Sequence, residues 1–291
     1  MSGDYQLVQL ANGEKTLFSA SYGEKMHPGL GPAAEAEWLY VRQLQLERRL
    51  AEATGEWVIW DIGLGGAANA LTALRALRAV PGRLRLVSFD NTAEPLAFAL
   101  QQAAELRYPV GYEEPLRTLC KVRQVTFQNG ALTVDWEFHL GDFPAWIANR
   151  ATEANSATPA PHAIFYDAFS PAKNPAMWTL PVFEHLFRAL DPARPCALTT
   201  YSRSTLLRAT LLCAGFYVGV GHATGMKEET TIAANTPSLI TELLGQRWLE
   251  RAGRSDSAEP LREPVYSKSR LAPGTAEKLR GHAQFCGGAG S

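Results

Sequence analysis

The chain has 291 residues, which is enough for one large α/β domain or for a domain with a small appendage. Hydrophobic residues make up 46% of it, and no apolar run approaches the roughly 18 residues of a membrane span. The formal net charge of −1 argues against a uniformly basic nucleic-acid wrapper, although a local basic patch is compatible with it. The four scattered cysteines show neither zinc-site nor redox spacing, and no secretory signal is visible. We therefore expect a cytoplasmic protein with reduced thiols, no metal and no membrane contact.

The first segment mixes short strand-like pieces with glycines. Residues 5–10 and 16–20 have β-like patterns, and residues 33–53 place Trp38, Val41, Leu44 and Leu50 near one face of a predicted helix. We therefore treat residues 1–55 as an N-terminal extension with short strands and a helix.

The following segments alternate between strand and helix patterns. They comprise a strand at 57–62, a glycine turn at 63–66, a helix at 67–79, a strand at 84–90 and a helix at 94–106. This βαβ spacing predicts parallel pairing with right-handed crossovers.

The middle of the chain contains a predicted hairpin, with strands at 122–128 and 132–139 around Asn129-Gly130. Residues 151–161 are predicted to form a surface loop. The later predicted elements are strands at 163–167, 196–201, 216–220 and 230–234, and helices at 181–190, 204–214 and 238–252. The alternation predicts a doubly wound α/β fold in a domain at 56–252, followed by a poorly packed tail at 253–291.

The sharpest local motif is Asp61-Ile62-Gly63-Leu64-Gly65-Gly66, directly after the first predicted parallel strand. Glycines at this point let the backbone approach a ligand, and the next helix directs its first amides into the same crevice. Gly63, Gly65 and Ala68 also fit a dinucleotide fingerprint, and a tight turn without a ligand remains a further alternative.

Acidic residues follow three predicted strands: Asp61, Asp90 and Asp142. An acid at the end of the second strand can accept hydrogen bonds from both ribose hydroxyls. An acid at the third position can accept one from an adenine amine. Each acid alone is better explained as a solvated strand end or a helix cap, so only their shared placement at successive strand ends favours a nucleoside site.

The fourth strand end carries the least usual segment, residues 167–178, Asp-Ala-Phe-Ser-Pro-Ala-Lys-Asn-Pro-Ala-Met-Trp. Its prolines stiffen a loop that places Asp167, Lys173, Asn174 and Trp178 beside the predicted crevice. The structural alternative is a rigid turn with Trp178 as a plug of the core.

This segment resembles the signature of the methyltransferase domain of MnmC, an enzyme family of tRNA wobble-uridine modification. The resemblance includes residues 27–35, residues 61–69, residues 214–216 and residues 225–228, and so spreads over about residues 15–235. One departure is Ala67, which stands where the family has its third glycine.

The resemblance implies a Rossmann-like methyltransferase fold with a seven-stranded, mostly parallel sheet whose last strand is antiparallel. It implies a stand-alone form without an oxidase domain, S-adenosylmethionine as cofactor, and methylation of the aminomethyl amine of a wobble uridine in tRNA. Together with the motifs it gives a predicted cofactor-binding set of Glu35, Asp61, Gly63, Gly65, Gly66, Asn69, Asp90, Asp142 and Asp167. Asp167 is also the predicted catalytic residue, and the predicted substrate-binding residues are Phe169, Lys173, Asn174 and Trp178. His27 is expected at the cofactor entrance.

Three alternatives stay open at this point. The same fold and cofactor would serve a methyltransferase of a small-molecule or protein amine. An NAD-dependent oxidoreductase would use the same glycines and Asp90, but Asp61 stands where a dinucleotide-binding strand is normally apolar, and no Tyr–Lys or His–Asp pairing is visible. The third alternative is a non-catalytic binding protein with a relict pocket.

Overall fold

The computed structural model describes residues 3–150, 158–224 and 228–286. These residues form two compact units. The first takes the described residues of ranges 1–143, 161–169 and 222–228, and the second those of ranges 144–160, 170–221 and 229–291. This division differs from the predicted boundaries after residues 55 and 252, because the N-terminal extension packs in the same unit as the glycine turn. Residues 151–157 of the predicted loop and residues 225–227 of the resemblance lie outside the described residues.

A small antiparallel sheet opens the first unit. It contains β1 (Tyr5–Gln9), β2 (Lys15–Ser19) and β3 (Glu24–Lys25) in that order. Leu17 faces the core of the unit and is almost fully buried. The two predicted β-like pieces are confirmed as β1 and β2.

The helical segment that follows is interrupted, although one continuous helix was predicted. It consists of α1 (Pro32–Ala36), a π-helical stretch (Glu37–Arg42) and α2 (Leu46–Ala51). Gln45 lies in the left-handed region with φ 51°, which ends one helix before the next begins. The wider π turn also shifts the buried face, so that Trp38 is 41% exposed and stacks under the Arg42 guanidinium instead of entering the core.

The main strands of the first unit are β4 (Glu56–Ile62), β5 (Gly82–Asp90), β6 (Gln124–Asn129), β7 (Leu132–Leu140) and β8 (Ala163–Tyr166). They lie in the order β8-β4-β5-β7-β6, with β8, β4, β5 and β7 parallel and β6 antiparallel at one end. β4 is buried along nearly its whole length, as its apolar run predicts for a central parallel strand. The carboxyl ends of four parallel strands therefore share one edge.

Four helices accompany these strands: α3 (Ala68–Leu77), α4 (Glu94–Gln101), α5 (Ala103–Leu106) and α6 (Glu113–Val122). α3 is buried around most of its circumference and directly follows the glycine turn. α6 was not predicted, although it is an amphipathic helix whose buried face carries Leu116 and Leu119, three residues apart.

The second unit holds the remaining strands, β9 (Ala197–Thr200), β10 (Tyr217–Gly221) and β11 (Thr230–Ala234). β11 runs antiparallel to both β9 and β10. The expected antiparallel last strand is thus confirmed. Among the described residues the strands β4 to β11 number eight, five in the first unit and three in the second, whereas seven were predicted. The class of fold agrees with the predicted Rossmann-like methyltransferase architecture. The helices before the tail are α7 (Phe143–Arg150), α8 (Leu180–Arg188) and α9 (Thr205–Ala214).

The C-terminal segment contains α10 (Gln246–Arg254), α11 (Pro273–Arg280) and α12 (Ala283–Cys286). The predicted helix at 238–252 begins only at Gln246, because residues 240–245 are not helical and Leu243 forms a β-bridge to Gly219. The tail also differs from the poorly packed one predicted: Leu279 and Phe285 are buried, because α11 packs against α9. Within the described ranges, we find no helix with the length and apolar character needed to cross a bilayer.

Candidate cofactor site and catalytic residues

The glycine turn after β4 joins three strand ends of the first unit. The amides of Gly63 and Leu64 both donate to the Phe89 carbonyl at the end of β5, at 2.9 and 3.0 Å. Gly63 has φ 94°, and a Cβ at this position would lie 2.7 Å from the Asp167 carbonyl oxygen after β8. Only glycine fits this conformation and this close backbone approach.

The next residues of the turn are equally constrained. The Gly65 amide donates to Asp90 Oδ2 at 2.8 Å, and a Cβ at Gly66 would lie 2.5 Å from the Tyr108 hydroxyl. Ala67 precedes α3 with φ 65°, so it adopts the left-handed conformation that the family's third glycine would favour. An L-residue pays about 1–2 kcal/mol for this conformation. The departure at Ala67 therefore keeps the shape of the turn.

Asp90 ends β5 and is fixed by backbone amides on both oxygens. Gly65 donates to Oδ2, and Thr92 donates to Oδ1 at 3.3 Å. Burial raises the pKa of this carboxyl, while the amides of Gly65, Thr92 and Asn91 oppose that shift. A carboxylate held in this way at the end of the second parallel strand suits the two hydroxyls of a ribose.

Asp61 is the most deeply buried acid of the site, with 1% of its surface exposed. Its Oδ2 accepts from the Ser88 hydroxyl at 3.0 Å, and that hydroxyl accepts from the Trp136 indole N–H at 2.9 Å. Burial raises the pKa of Asp61 to about 7; the Ser88 bond lowers it, and the carboxyls of Asp167 and Asp90 raise it. Asp61 Oδ1 has no hydrogen-bond partner among the described residues, which leaves one buried acceptor for a ligand.

A second polar group surrounds Asp167. Its Oδ2 accepts from Asn69 Nδ2 at 2.7 Å and lies 3.8 Å from His27 Nε2. The other ring nitrogen, His27 Nδ1, lies 4.0 Å from Glu35 Oε2, and Glu35 Oε1 accepts from the amides of Gly29 and Leu30. The imidazole of His27 therefore lies between the carboxylates of Glu35 and Asp167, so a residue of the N-terminal segment stands beside the predicted catalytic acid.

An aromatic pair lies in the same unit. The rings of Tyr22 and Phe169 stack with centroids 4.1 Å apart and an interplanar angle of 18°. Asn91, which follows Asp90, donates to the Tyr22 hydroxyl at 3.5 Å. The pair is half-buried, so it offers aromatic surface at the rim of this cluster.

The first-unit residues fit S-adenosylmethionine. Asp61 Oδ1 and Asn69 Oδ1 are buried acceptors without a partner in the described part of the chain. The turn at Gly63 and Gly65 carries no side chains, and the positions that their Cβ atoms would take lie against the Asp167 carbonyl and the Met26 sulfur. The carboxyls also suit the positive charges of the cofactor's ammonium and sulfonium groups.

The other predicted residues differ from one another in burial. Asp142 follows β7 in the first unit and is exposed. Lys173 and Asn174 belong to the second unit, where Lys173 is exposed and Asn174 half-buried. Trp178 is 0% exposed and packs with Phe183 and Tyr201, so it has no free face for a base. Its predicted role as a substrate-binding residue is therefore corrected to the structural alternative, a plug of the core.

The motifs missed several residues that the structure places at the site. Ser88 and Trp136 orient Asp61, and Tyr22 covers Phe169. Ser88 could have been identified from the sequence, because it stands inside the apolar strand at 84–90 and a buried hydroxyl needs a hydrogen-bond partner. No local pattern connects Tyr22 with a residue 147 positions later in the sequence.

Comparisons with known proteins agree with this geometry. Residues 112–236 match the sequence profile of a family described as S-adenosyl-L-methionine-dependent methyltransferase. The chain is 27% identical over 254 residues to the tRNA 5-methylaminomethyl-2-thiouridine biosynthesis bifunctional protein MnmC of Aeromonas hydrophila, covering 82% of this chain and 37% of that protein. The chain is MnmC-like. The protein of the same name from Ralstonia nicotianae is 31% identical over 228 residues, covering 75% of this chain and 33% of its own length. The chain thus spans about a third of the length of these MnmC relatives.

Solved structures support the fold. MnmC2 from Aquifex aeolicus superposes with a TM-score of 0.69 at 24% identity, covering 96% of this chain and 83% of that one. Spermidine synthase from Thermotoga maritima gives a TM-score of 0.53 at 10% identity, with 94% and 83% covered. The MnmC resemblance, the fold class and S-adenosylmethionine as cofactor of a methyltransferase are confirmed.

Proposed function

We propose that this protein transfers a methyl group to the primary amine of an aminomethyl substituent on the wobble uridine of a tRNA. The names of its MnmC relatives supply the substrate class, since they describe biosynthesis of 5-methylaminomethyl-2-thiouridine in tRNA. A tRNA substrate would be met in the cytoplasm. The observation that carries the proposal is the hydrogen-bonded Asp167 carboxylate, which follows β8 beside the glycine turn.

Asp167 suits an amine nucleophile for an elementary reason. An alkylamine has a pKa close to that of lysine, about 10.4, and is mostly protonated at neutral pH. It must lose a proton before its lone pair can attack. Asn69 holds one oxygen of Asp167, so the carboxylate is oriented to bind the ammonium and to accept its proton.

The cofactor supplies an electrophilic methyl group on a positively charged sulfur. In our assignment Asp90 holds the ribose, and Asp61 and Asn69 offer their free oxygens to polar groups of the cofactor. Gly63 and Gly65 allow close backbone approach. Displacement at a methyl carbon requires positioning more than acid chemistry, so these residues act by fixing the cofactor relative to Asp167.

The Tyr22–Phe169 pair is the proposed platform for the uridine ring. Proteins that read single-stranded RNA commonly stack unstacked bases on aromatic side chains. Phe169 is two residues after Asp167, so a base stacked there would hold its aminomethyl group near the carboxylate. Lys173 and Asn174 remain proposed substrate contacts, through a phosphate or a polar edge.

The test compares two variants. Asp167→Asn is nearly isosteric and keeps an oxygen for Asn69, so we expect it to retain measurable S-adenosylmethionine binding by calorimetry, although Asp167 belongs to the predicted cofactor-binding set. It should lose on the order of 100-fold or more in the rate of methylation, the usual size of a general-base contribution. The readout is nucleoside mass spectrometry of tRNA that carries the aminomethyl group. Asp90→Ala should instead lose cofactor binding itself.

Two results would contradict the proposal. An unchanged rate of methylation by Asp167→Asn would show that Asp167 is not the base. If calorimetry shows binding of NAD and no binding of S-adenosylmethionine, the glycine turn belongs to a dinucleotide site and the oxidoreductase alternative is favoured. Asp256→Asn, which changes an acid that is 80% exposed in the second unit, is the control and should leave both readouts unchanged.

A further inference from the structure

The second unit contains a cavity of about 240 Å³ beside the start of α10. Arg208 of α9 is part of its wall, with a side chain only 1% exposed. The Arg208 guanidinium donates to the Thr231 hydroxyl, to the Thr230 carbonyl and to Glu229 Oε1, at 3.1, 2.8 and 3.2 Å. These bonds fix a buried cation in place.

Two more arginines, Arg247 and Arg251, line the same cavity from α10. They lie four residues apart and therefore on one helix face, and both are exposed. The positive charge of Arg251 reaches the buried Arg208, because it adds to burial in lowering the pKa of Arg208. The carboxylates lining the cavity are Glu229, which Arg208 engages, and the exposed Glu242. Positive charge is in excess.

These α10 cations differ from other cations of the C-terminal segment. Arg262, Arg270 and Lys278 each form an ion pair with a carboxylate, respectively Glu259, Asp256 and Glu184. For Arg247, Arg251 and Arg254, no carboxylate in the described part of the chain lies at ion-pair distance. Unpaired guanidinium groups beside a cavity are available for an external anion.

The spacing favours a chain of anions over a single one. Arg247, Arg251 and Arg254 follow one another at i, i+4 and i+7, so they form a row on one face of α10. At 1.5 Å per residue the row is about 10 Å long. Trp248 and Ala252, on the neighbouring face of the helix, are buried and hold the helix in place.

We infer that the cavity and the arginine row of α10 form a binding surface for the phosphodiester backbone of RNA, with the Arg247 and Arg251 guanidinium groups contacting successive phosphates. The inference rests on the proposed function for the identity of the RNA, a tRNA. Backbone contacts of this kind position a nucleic acid without reading its sequence. They leave recognition of the nucleoside to the aromatic pair and Asp167.

The test titrates the full chain with a fluorescent tRNA transcript at several KCl concentrations. We expect Arg247→Ala/Arg251→Ala to weaken binding on the order of tenfold, as expected from two exposed charge contacts. The slope of log affinity against log salt should fall by about one for each phosphate that an arginine no longer neutralises. With the modified tRNA as substrate, KM should rise by a similar factor at unchanged kcat. Calorimetric binding of S-adenosylmethionine should not change.

The matched control is Arg117→Ala/Arg270→Ala, which removes two exposed arginines that are paired with Glu114 and Asp256. It changes the net charge equally and should leave binding within about twofold, since exposed ion pairs contribute little. An equal loss of tRNA affinity in both double variants would overturn the inference, because net charge alone would then explain the effect.

The remaining outcomes separate this inference from the proposed function. If the wild type methylates tRNA while Arg247→Ala/Arg251→Ala has an unchanged KM and an unchanged salt slope, the proposed binding surface is refuted and the proposed function is not. Arginine-dependent and salt-dependent tRNA binding without any methylation supports the surface and refutes the function. Arginine-dependent binding of polyglutamate that is as tight as that of tRNA overturns the assignment to RNA.

Discussion

Asp61 shows how burial of one acid couples the site to the stability of the fold. Burial raises its pKa to about 7, whereas an aspartate in an unfolded chain titrates near 3.9. Between these values the folded chain binds more protons than the unfolded chain, so the free energy of unfolding falls as pH rises. Below about pH 4 both states are protonated and the cost of an ionised Asp61 disappears.

We therefore predict that Asp61→Asn removes this pH dependence. At pH 8 the variant should be more stable than the wild type by up to about 4 kcal/mol, the upper bound from a shift of about three pKa units at 1.36 kcal/mol each. The advantage should shrink toward pH 4. Urea denaturation at pH 4.5, 6 and 8 measures it.

Ser88→Ala provides the opposing control. The Ser88 hydroxyl stabilises the ionised form of Asp61, so its loss should cost more stability at pH 8 than at pH 4.5. Parallel pH profiles for wild type and Asp61→Asn would contradict the account, because they would mean that Asp61 titrates at the same pH in the folded and unfolded chain.

At the scale of elements, the turn between β4 and α3 needs the small size of Gly66, because neighbouring side chains occupy the space around it. A Cβ at Gly66 would lie 2.5 Å from the Tyr108 hydroxyl and 3.2 Å from Ala99 Cβ. Gly66→Ala should therefore destabilise the protein by about 1–3 kcal/mol, the usual cost of overpacking a buried site. Thermal unfolding of the variant measures this cost.

The double variant Gly66→Ala/Tyr108→Phe identifies the clash. Removing the Tyr108 hydroxyl takes away the atom nearest to the new methyl group, so the double variant should recover part of the lost stability. Additive losses from the two substitutions would locate the cost elsewhere, for instance at Ala99.

The same elements explain what the sequence could predict. β4 and β8 are short runs buried on both faces, and the hairpin of β6 and β7 has Asn129-Gly130 at its turn, so local pattern is sufficient. The strand-end acids Asp61 and Asp90 meet because parallel strands share an edge. That arrangement follows from topology alone.

The predictions that failed depend on contacts between distant segments. The helix at 238–252 has an apolar pattern, but Leu243 bridges to Gly219, and this strand-like contact overrides local propensity. The helix breaks at Gln45 because its backbone is left-handed, and Trp38 is exposed because a π turn shifts the helical period. The Tyr22–Phe169 stack joins the ends of two loops, and no periodicity encodes it.

At the scale of the whole molecule, the chain corresponds to about a third of its MnmC relatives and is composed of two compact units. The cofactor-binding residues we assign all belong to the first unit, and the arginine row belongs to the second. Cofactor and RNA would then bind through different sets of elements.

Cofactor binding should therefore protect the first unit selectively. A ligand that binds only the folded state stabilises it by RT ln(1 + [L]/Kd), about 2.7 kcal/mol at 100 times Kd. With S-adenosylmethionine at that concentration, we expect slower amide hydrogen exchange in peptides covering residues 61–69, 88–92 and 165–169, because the ligand would hold these strand ends closed. Exchange across α10 should change little. Asp90→Ala should abolish the protection, and protection confined to α10 would contradict the assignment of the cofactor to the glycine turn.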